Sequence, residues 1–441
     1  MNYFIMILVA SVFIGTELLA IPTPFAQLTI YRVFALSIPI LIGYFVVQKN
    51  PRIKIKKDSY ATFSVIVFIL WWLWSILSFL WIKDIKLWLQ AVFLLTLGIS
   101  SILGLYLWVK DHQHWKKLIQ VTWFMMSLLI GLGYYEIITN HYIFADLSKL
   151  DKYNTFVSDP MTRMPITHFE NQNDFATMLL AYITVGFILY YITPQAVKKL
   201  GYLISVFLGS YLIYRSGSRM ALLCLILYAG CFIALKFKWD LKKNYYIFAL
   251  VSFIILGMLA IAYVPAVQNM VDALIYTGKT DIVTGDTGRV NLLRNGIIFL
   301  AATFGFGVGA GNIEAWMANY RFLPTQNIIN MHHWWAEILV AYGVIIFVLY
   351  TLVYILLIYR LFQIRKKQTK QMSGVSNQLI AFLIVYSLAS ITSASNMLIE
   401  WHWIFFGLII AYIKVYEDEL SFTSKKSMKL RRNYEFNYNI K

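Results

Sequence analysis

Long apolar runs separated by short polar segments cover the chain from end to end. Most runs can cross a hydrocarbon layer about 30 Å thick, for which a helix needs roughly 20 residues. They do not alternate polar and apolar residues, as the strands of a membrane β-barrel do. The pattern therefore predicts about twelve transmembrane helices, near residues 3–20, 29–48, 60–80, 88–109, 118–137, 173–193, 199–214, 220–236, 244–264, 334–358, 378–395 and 402–416.

Composition supports this fold class. Hydrophobic residues make up 60% of the 441 residues and charged residues 13%, against about 25% charged in soluble domains. We predict an all-α, polytopic integral membrane protein with a single domain over residues 1–441 and a long extracytoplasmic loop that contains short helices. The apolar N-terminus lacks a basic leader, which favours a first transmembrane helix over a signal peptide.

The distribution of positive charge predicts the topology. With the N-terminus in the cytoplasm, 26 of the 38 cations fall on the inner side, as the positive-inside rule requires. We therefore expect a multi-pass protein of the cytoplasmic membrane, with both termini and a basic tail (417–441) in the cytoplasm. The net charge of +17 is then explained by loops that face anionic lipid, so that no nucleic-acid partner is expected.

Seven of the 12 cations on the predicted outer side are arginine. A guanidinium group matches phosphate oxygens with two parallel hydrogen bonds, which favours a phosphate-containing ligand. The alternative is that these arginines pair with outer acids such as Glu136, Asp174 or Glu314. Two outer segments, 138–171 and 265–333, are longer than ordinary connections, and we interpret them as the first and the main extracytoplasmic loop.

The first loop and the following turn contain four candidate substrate-binding residues. Arg163 and Asn173 lie in TRMPITHFENQNDFATML, where Asn171 or Asn173 could instead cap a helix. Arg215 and Arg219 flank the turn in YRSGSRMALL. Snorkelling to the membrane surface is the alternative for Arg215, whereas a buried functional partner is predicted for Arg219.

Arg289, in DTGRVNLLRNGIIFLAA, is predicted to lie in the first turn of a helix. A cation there opposes the helix dipole, so an anion should compensate it, either a lipid diphosphate or Asp286. The apolar stripe that should pack this helix against the bundle comprises Val290, Leu293, Ile297 and Leu300.

The segment GFGVGAGN carries glycines at positions 305, 307, 309 and 311. It does not fit a dinucleotide-binding fingerprint, because residue 310 is alanine and no βαβ unit surrounds it. Close approach of the backbone to a neighbouring element is the interpretation that remains.

MHHWWAEILVAYG contains His332, His333 and Glu337, which are candidates for a catalytic base, a substrate-binding residue and a catalytic acid, and the pattern leaves open which histidine acts. The dipole at a helix N-terminus disfavours the imidazolium form, so that a neutral histidine able to accept a proton is expected. Adjacent histidines on a helix diverge and cannot easily share a metal, so no metal or cofactor is predicted. A histidine at headgroup level beside the tryptophans is the alternative.

In their order and shared sidedness, FENQNDFA, GSRMALL, DTGRVNLL, FGFGVGAGN and HHWWAEILVAYG resemble the O-antigen ligase and Wzy-type polymerase family. The resemblance implies transfer of a glycan from undecaprenyl diphosphate to an acceptor hydroxyl. By this likeness Arg219 and Arg289 would hold the diphosphate and His332 would assist the acceptor. Two positions depart from the family: His333 replaces a frequent asparagine, and Ala341 replaces a frequent glutamate.

We therefore predict a metal-independent polymerase in capsule, teichuronic acid or O-antigen synthesis, acting on the outer side of the membrane. Its expected partners are the undecaprenyl-diphosphate-linked oligosaccharide and membrane lipid, with a chain-length regulator and a flippase of the same pathway as further candidates. Two alternatives stay open. One is a ligase that transfers to a lipid or protein acceptor, and the other is a flippase for lipid-linked oligosaccharides.

Overall fold

The structure is a computed structural model that describes residues 1–15, 20–22, 27–48, 59–151, 154–169, 171–236, 285–325, 328–391, 397 and 399–438. Within these residues the protein is almost entirely α-helical, and the β-structure consists of one short antiparallel hairpin. The predicted all-α, polytopic membrane fold is confirmed. The span predicted at 244–264 lies outside the described residues.

The first half of the chain contains α1 (Asn2–Ser11), β1 (Ala20–Pro22), β2 (Gln27–Thr29), α2 (Ile30–Val47), α3 (Tyr60–Leu77), α4 (Ile85–Trp108), α5 (His112–Thr139), α6 (Leu147–Leu150), α7 (Gln172–Ile192), α8 (Ala196–Arg215) and α9 (Arg219–Lys236). The second half contains α10 (Gly285–Ala302), α11 (Ile313–Tyr320), α12 (Trp334–Lys367), α13 (Lys370–Ala389) and α14 (Glu400–Tyr438). Short 3₁₀ turns lie at Ser78–Leu80 and Pro160–Thr162.

Eight of the described helices are long and apolar enough to cross a membrane: α2, α3 with its 3₁₀ turn, α4, α5, α7, α8, α12 and α13. Helices α1 and α9 are apolar but shorter. The polytopic prediction thus holds, while the count of about twelve is not established by the described residues.

Side-chain caps explain where several helices begin. Ser59, Asp84, Asp111, Asn171 and Thr369 each accept a hydrogen bond from the first turn of the helix that follows. These bonds satisfy backbone N–H groups that have no partner within the helix. The most deeply buried spans are α4 and α7, and α4 packs against α2, α3 and α14 while α7 packs against α8 and α13.

Polar contacts join the predicted inner loops at one end of the helices and the predicted outer loops at the other. Where α3 begins, Ser59 donates to Glu417 Oε2 at 2.5 Å, and Arg360 Nε donates to Glu417 Oε1 at 2.8 Å. Beyond the other end of α3, Trp81 Nε1 donates to the carbonyl of Gly307 at 3.0 Å. Contacts between segments that are distant in sequence are therefore present at both ends of α3.

Several helices differ in length from their predicted spans. Helix α1 ends at Ser11, whereas the span was predicted to reach residue 20, and residues 16–19 lie outside the described part of the chain. Helices α5 and α12 extend through polar turns beyond the apolar runs, because hydropathy marks the membrane-crossing part of a helix and not its ends. Helix α14 continues without a break through residue 417, where the basic tail was predicted to begin, up to Tyr438.

Candidate functional site

Arg289 and His332 lie within electrostatic range of each other. Burial lowers the pKa of His332 below its usual value, and the positive charge of Arg289 lowers it further. Arg289 is exposed. It lies in the second turn of α10 and not, as was predicted, in the first, because the helix begins at Gly285. His332 has a φ of +49°, in a region that is uncommon for residues other than glycine and costly to hold. The predicted phosphate-binding cation thus lies within electrostatic range of the predicted base, and both burial and the charge of Arg289 disfavour the protonated form of this histidine.

His333 has a different role from its neighbour. It is the N-cap of α12, where Ala336 N donates to His333 Nδ1 at 3.3 Å. A ring nitrogen that accepts a hydrogen bond carries no proton, so the ring is neutral with its proton on Nε2. Burial also lowers the pKa of His333. His333 therefore supports the helix on which Glu337 lies, which leaves His332 as the better candidate for the base.

The face of α10 that packs against the protein is not the predicted apolar stripe. Two asparagines anchor this face. Asn295 Nδ2 donates to the carbonyl of Leu323 at 2.9 Å, and its Oδ1 accepts from the N–H groups of Phe322 and Leu323 at 3.0 Å. Asn291 Nδ2 donates to the carbonyl of Pro324 at 2.9 Å.

The stripe predicted for α10 is consequently wrong. Ile297 is 62% exposed, and Val290, Leu293 and Leu300 are only half-buried. The hydrogen bonds of Asn291 and Asn295 turn the helix so that Leu292 and Phe299 are buried instead. Gly296 lies on the same side, where an added Cβ would collide with Met331 and Val340. These contacts fix α10, and with it Arg289, beside the segment that precedes α12.

The glycine-rich turn replaces the hydrogen bonds of a broken helix. Gly343 has φ 81° and ψ 177°, which interrupts α12 six residues after Glu337. Around this break the N–H groups of Val308 and Gly309 donate to the carbonyls of Val340 and Ala341 at 2.8 and 3.0 Å.

In return, Val344 N donates to the carbonyl of Gly305 at 2.9 Å. Only glycine fits here, because a Cβ on Gly307 would lie 2.5 Å from Gly343 N, and a Cβ on Gly343 would lie 2.4 Å from Gly305 O. The predicted close backbone approach is confirmed. Its consequence is a short helical segment, Trp334–Tyr342, that holds Glu337 in a fixed orientation.

Glu337 faces a cavity of about 130 Å³ between α4, α11 and the short segment of α12. Glu314, Gln90 and Asn330 also line this cavity, as does Ala341, one helical turn after Glu337. Sequence patterns did not single out Glu314 or Gln90 as site residues, because they come from parts of the chain that are far from the histidines. Burial raises the pKa of Glu314.

Arg163 and Arg215 form a second group, which holds the first outer loop. Arg163 Nε donates to the carbonyl of Phe156 at 2.7 Å, and one terminal nitrogen donates to Ile138 O at 2.9 Å. Arg215 is buried, and it donates to the carbonyls of Pro160 and Arg163 at 2.7 and 3.2 Å. These bonds go to backbone carbonyls and not to acids.

Glu136 anchors the same loop by accepting from Ile166 N and Thr167 N, each at 2.9 Å. Asn171 caps α7, as the alternative interpretation held, while Asn173 lies half-buried in the first turn. An arginine–acid pair does exist on this side, between Arg32 and Glu400 at 2.6 Å.

Arg219 begins α9 directly after the predicted turn, in which Gly217 has a φ of +66°. The residue is exposed and not buried, which corrects the expectation of a buried partner. Ser218 caps this helix weakly, since its Oγ accepts from Ala221 N at 3.4 Å. An exposed guanidinium group at a helix start is available to an anionic ligand from outside the bundle.

Comparison with known proteins agrees with the predicted resemblance. A family model described as O-Antigen ligase matches residues 204–351, which include Arg215, Arg219, Arg289, both histidines and Glu337. A curated relative, the teichuronic acid biosynthesis protein TuaE of Bacillus subtilis (strain 168), is 27% identical over 425 residues. The match covers 93% of this chain and 84% of the relative.

Proposed function

We propose that this protein is a polysaccharide polymerase of the cell envelope. The premise is the similarity of the chain to the O-antigen ligase family. The protein would transfer a glycan from undecaprenyl diphosphate to the hydroxyl of an acceptor repeat unit. The electrostatic coupling of Arg289 and His332 carries the proposal, because it joins a guanidinium group to a histidine whose protonated form is disfavoured. The name of the relative, which refers to teichuronic acid, supports a cell-wall polysaccharide as the product.

The proposed reaction is a direct displacement at the anomeric carbon of the donor. The acceptor oxygen forms a bond to this carbon while the bond to the diphosphate oxygen breaks, which inverts the configuration. His332 takes the proton of the acceptor hydroxyl, a role that a neutral imidazole near its own pKa performs well. Arg289 and Arg219 stabilise the negative charge that develops on the diphosphate, so that the mechanism needs no metal.

We place Arg163, Arg215 and Asn173 around this site as supporting residues. Arg163 and Arg215 hold the first outer loop against α5 and α8, and Asn173 lies in the first turn of α7, directly after this loop. His333 supports the helix start beside them.

The proposed location is the cytoplasmic membrane, with both termini in the cytoplasm and the site on the outer face. The charge distribution supports this orientation, as does the grouping of the loops at two ends of the bundle. The lipid-linked donor would enter from the membrane. We propose a chain-length regulator and a flippase of the same pathway as candidate protein partners.

The test is glycan profiling of a deletion strain complemented with single variants. His332→Ala and Arg289→Ala should each reduce chain extension by a factor of about 10² or more, with normal amounts of protein in the membrane. Lys149→Ala is the matched control, because this side chain is 85% exposed in the first outer loop. Normal-length polymer from both site variants would refute the assignment.

The products of the deletion strain also separate the remaining candidates. Acceptors that carry a single repeat unit indicate a polymerase. Free lipid-linked polymer indicates a ligase, an activity that the description of the family model favours. Lipid-linked units retained on the cytoplasmic side indicate a flippase.

A further inference from the structure

The cavity beside Glu337 has an apolar floor and a polar rim. Its floor is made by buried apolar residues, among them Leu94, Ile313 and Tyr342. Four polar side chains lie around it, two carboxylates and two amides: Gln90, Glu314, Asn330 and Glu337. An apolar concave surface with a few convergent polar groups is the usual form of a small-molecule site.

Rigid elements hold the polar side chains in place. Asn312 precedes α11, and its Oδ1 accepts from the N–H groups of Lys83 and Asp84 at 2.9 and 2.7 Å. Glu314 follows two residues later and is fixed by this anchor to the start of α4, from which Gln90 also projects. Glu337 belongs to the short segment of α12 that the glycine-rich turn orients. A site built on such anchors is preorganised for its ligand.

The size and chemistry of the cavity indicate a sugar ring. A volume of about 130 Å³ is below the ~300–1,000 Å³ of pockets for drug-sized ligands, and suits one ring instead of a whole repeat unit. Hydroxyl groups can donate to the carboxylates and exchange hydrogen bonds with the amides, while the apolar face of the ring covers the floor. Two carboxylates disfavour a phosphate or a uronate, because like charges at close range repel.

A metal ion fits this lining less well. Hard cations are held by several anionic oxygen ligands, and among the residues that the structure describes no group of three or more His, Cys, Asp or Glu could hold one. Burial raises the pKa of Glu314, which brings its carboxyl group nearer to a form that donates as well as accepts. Such a group is adapted to hydroxyl ligands.

We propose that this cavity binds an uncharged terminal sugar ring of the acceptor, and that Glu314 and Gln90 select it. The inference rests on the proposed function. Met331 lines the cavity and is the chain neighbour of His332, so that in this proposal the outer hydroxyl of the ring extends from the cavity toward the base. The donor diphosphate is directed to Arg289 and away from the carboxylates. The two substrates are thereby sorted by charge.

The test uses the full-length protein in lipid nanodiscs, with the lipid-linked repeat unit as donor. Two matched acceptors differ only in whether C6 of the terminal ring carries a hydroxyl or a carboxylate. The wild type should prefer the hydroxyl form at least about tenfold in kcat/KM. Glu314→Gln should raise the acceptor KM about tenfold, the loss expected for one hydrogen bond, and leave the donor KM unchanged.

Gln90→Lys provides a second variant that can fold even if Glu314→Gln does not, because Gln90 is exposed. A cation on the rim should reduce the preference for the uncharged ring about tenfold or reverse it. Gln113→Lys, at an exposed position of α5, is the control and should behave as the wild type.

The outcomes separate the two proposals. If the wild type transfers glycan but neither variant alters the acceptor KM or the charge preference, the cavity is not the acceptor subsite and the polymerase stands. A wild-type preference for the carboxylate form has the same meaning. If the wild type transfers to neither acceptor, the proposed function itself falls, and the subsite with it.

Discussion

Two adjacent histidines of this protein have separate tasks that their order in the chain does not reveal. The ring of His333 accepts a hydrogen bond from Ala336 N and so belongs to the helix cap. His332 has a strained backbone and lies near Arg289. Strain of this kind persists only where surrounding contacts impose it, and it is commonest at functional positions.

Substitutions of His333 can separate a role in helix capping from a role in catalysis. Asparagine is one of the best capping residues, so His333→Asn should retain nearly wild-type activity and stability. His333→Ala should lose about 1 kcal/mol of stability through the missing cap. Both quantities are measured on purified protein, by thermal unfolding and by glycan transfer. A loss of activity of 10² or more in stable His333→Asn would move the base from His332 to His333.

At the scale of elements, the glycine-rich turn and the broken helix α12 form one unit. Each supplies hydrogen-bond partners for backbone groups of the other, through the bonds of Val308, Gly309 and Val344. An unpaired backbone group in a membrane costs several kcal/mol. The break in α12 is therefore stable only while the turn stays in place, and the orientation of Glu337 depends on both.

We expect Gly343→Ala and Gly307→Ala to disturb this unit. Each places a Cβ within about 2.5 Å of backbone atoms, and the left-handed backbone adds about 1–2 kcal/mol for a residue other than glycine. Thermal unfolding should occur at a lower temperature, and transfer activity should fall by at least an order of magnitude. The control is Gly43→Ala, since a Cβ there meets nothing within 4 Å and alanine favours a helix. Wild-type stability of Gly343→Ala would contradict the interpretation.

Hydropathy predicted the individual helices, but it did not predict the unit that the glycine-rich turn and α12 form together. The span predicted at 60–80 matches α3 with its 3₁₀ turn, and that at 173–193 matches α7 within one residue. Apolar runs and caps are local features, so a sequence displays them directly. The break at Gly343 and the burial of Asn295 depend on partners that lie tens of residues away, and a window along the chain does not contain those partners.

The same reasoning applies to the candidate site. Arginine bias on one side and a histidine pair at a helix start indicated the region, and the family resemblance then favoured Arg289 and His332. Glu314 was considered only as a partner for an arginine, and Gln90 not at all, because an acid or an amide in a loop or a helix has no local pattern that marks a site. The bonds of Asn312 to the start of α4 bring the two residues to the cavity that Glu337 lines.

At the scale of the whole molecule, both ends of the bundle are closed by polar contacts. Arg360 and Ser59 meet Glu417 at one end, and Arg32 meets Glu400 near the other. Separating the members of such buried pairs costs about 3–5 kcal/mol. The helices are therefore fixed against one another on both sides of the proposed membrane.

Labelling of single cysteines tests the proposed orientation. Lys149→Cys lies in the first outer loop and Lys110→Cys in the turn between α4 and α5, and both positions are exposed. Cys224 and Cys231 are replaced by serine to give a background without reactive thiols. A membrane-impermeant maleimide should label residue 149 in intact cells, and residue 110 only after the membrane is opened. The reverse pattern would invert the topology and place the site in the cytoplasm.

The exchange of backbone bonds at Gly343 also constrains how the protein is made. The glycine-rich turn leaves the ribosome before residues 340–344, which its N–H and carbonyl groups require. Before α12 is synthesised these groups lack their partners in α12. We therefore expect the turn to stay in water until then, because unpaired backbone groups are excluded from lipid. Insertion of α12 then draws the turn into the bundle. The candidate site is thus completed by a late step of assembly, and a chain truncated before α12 would contain Arg289 without a site.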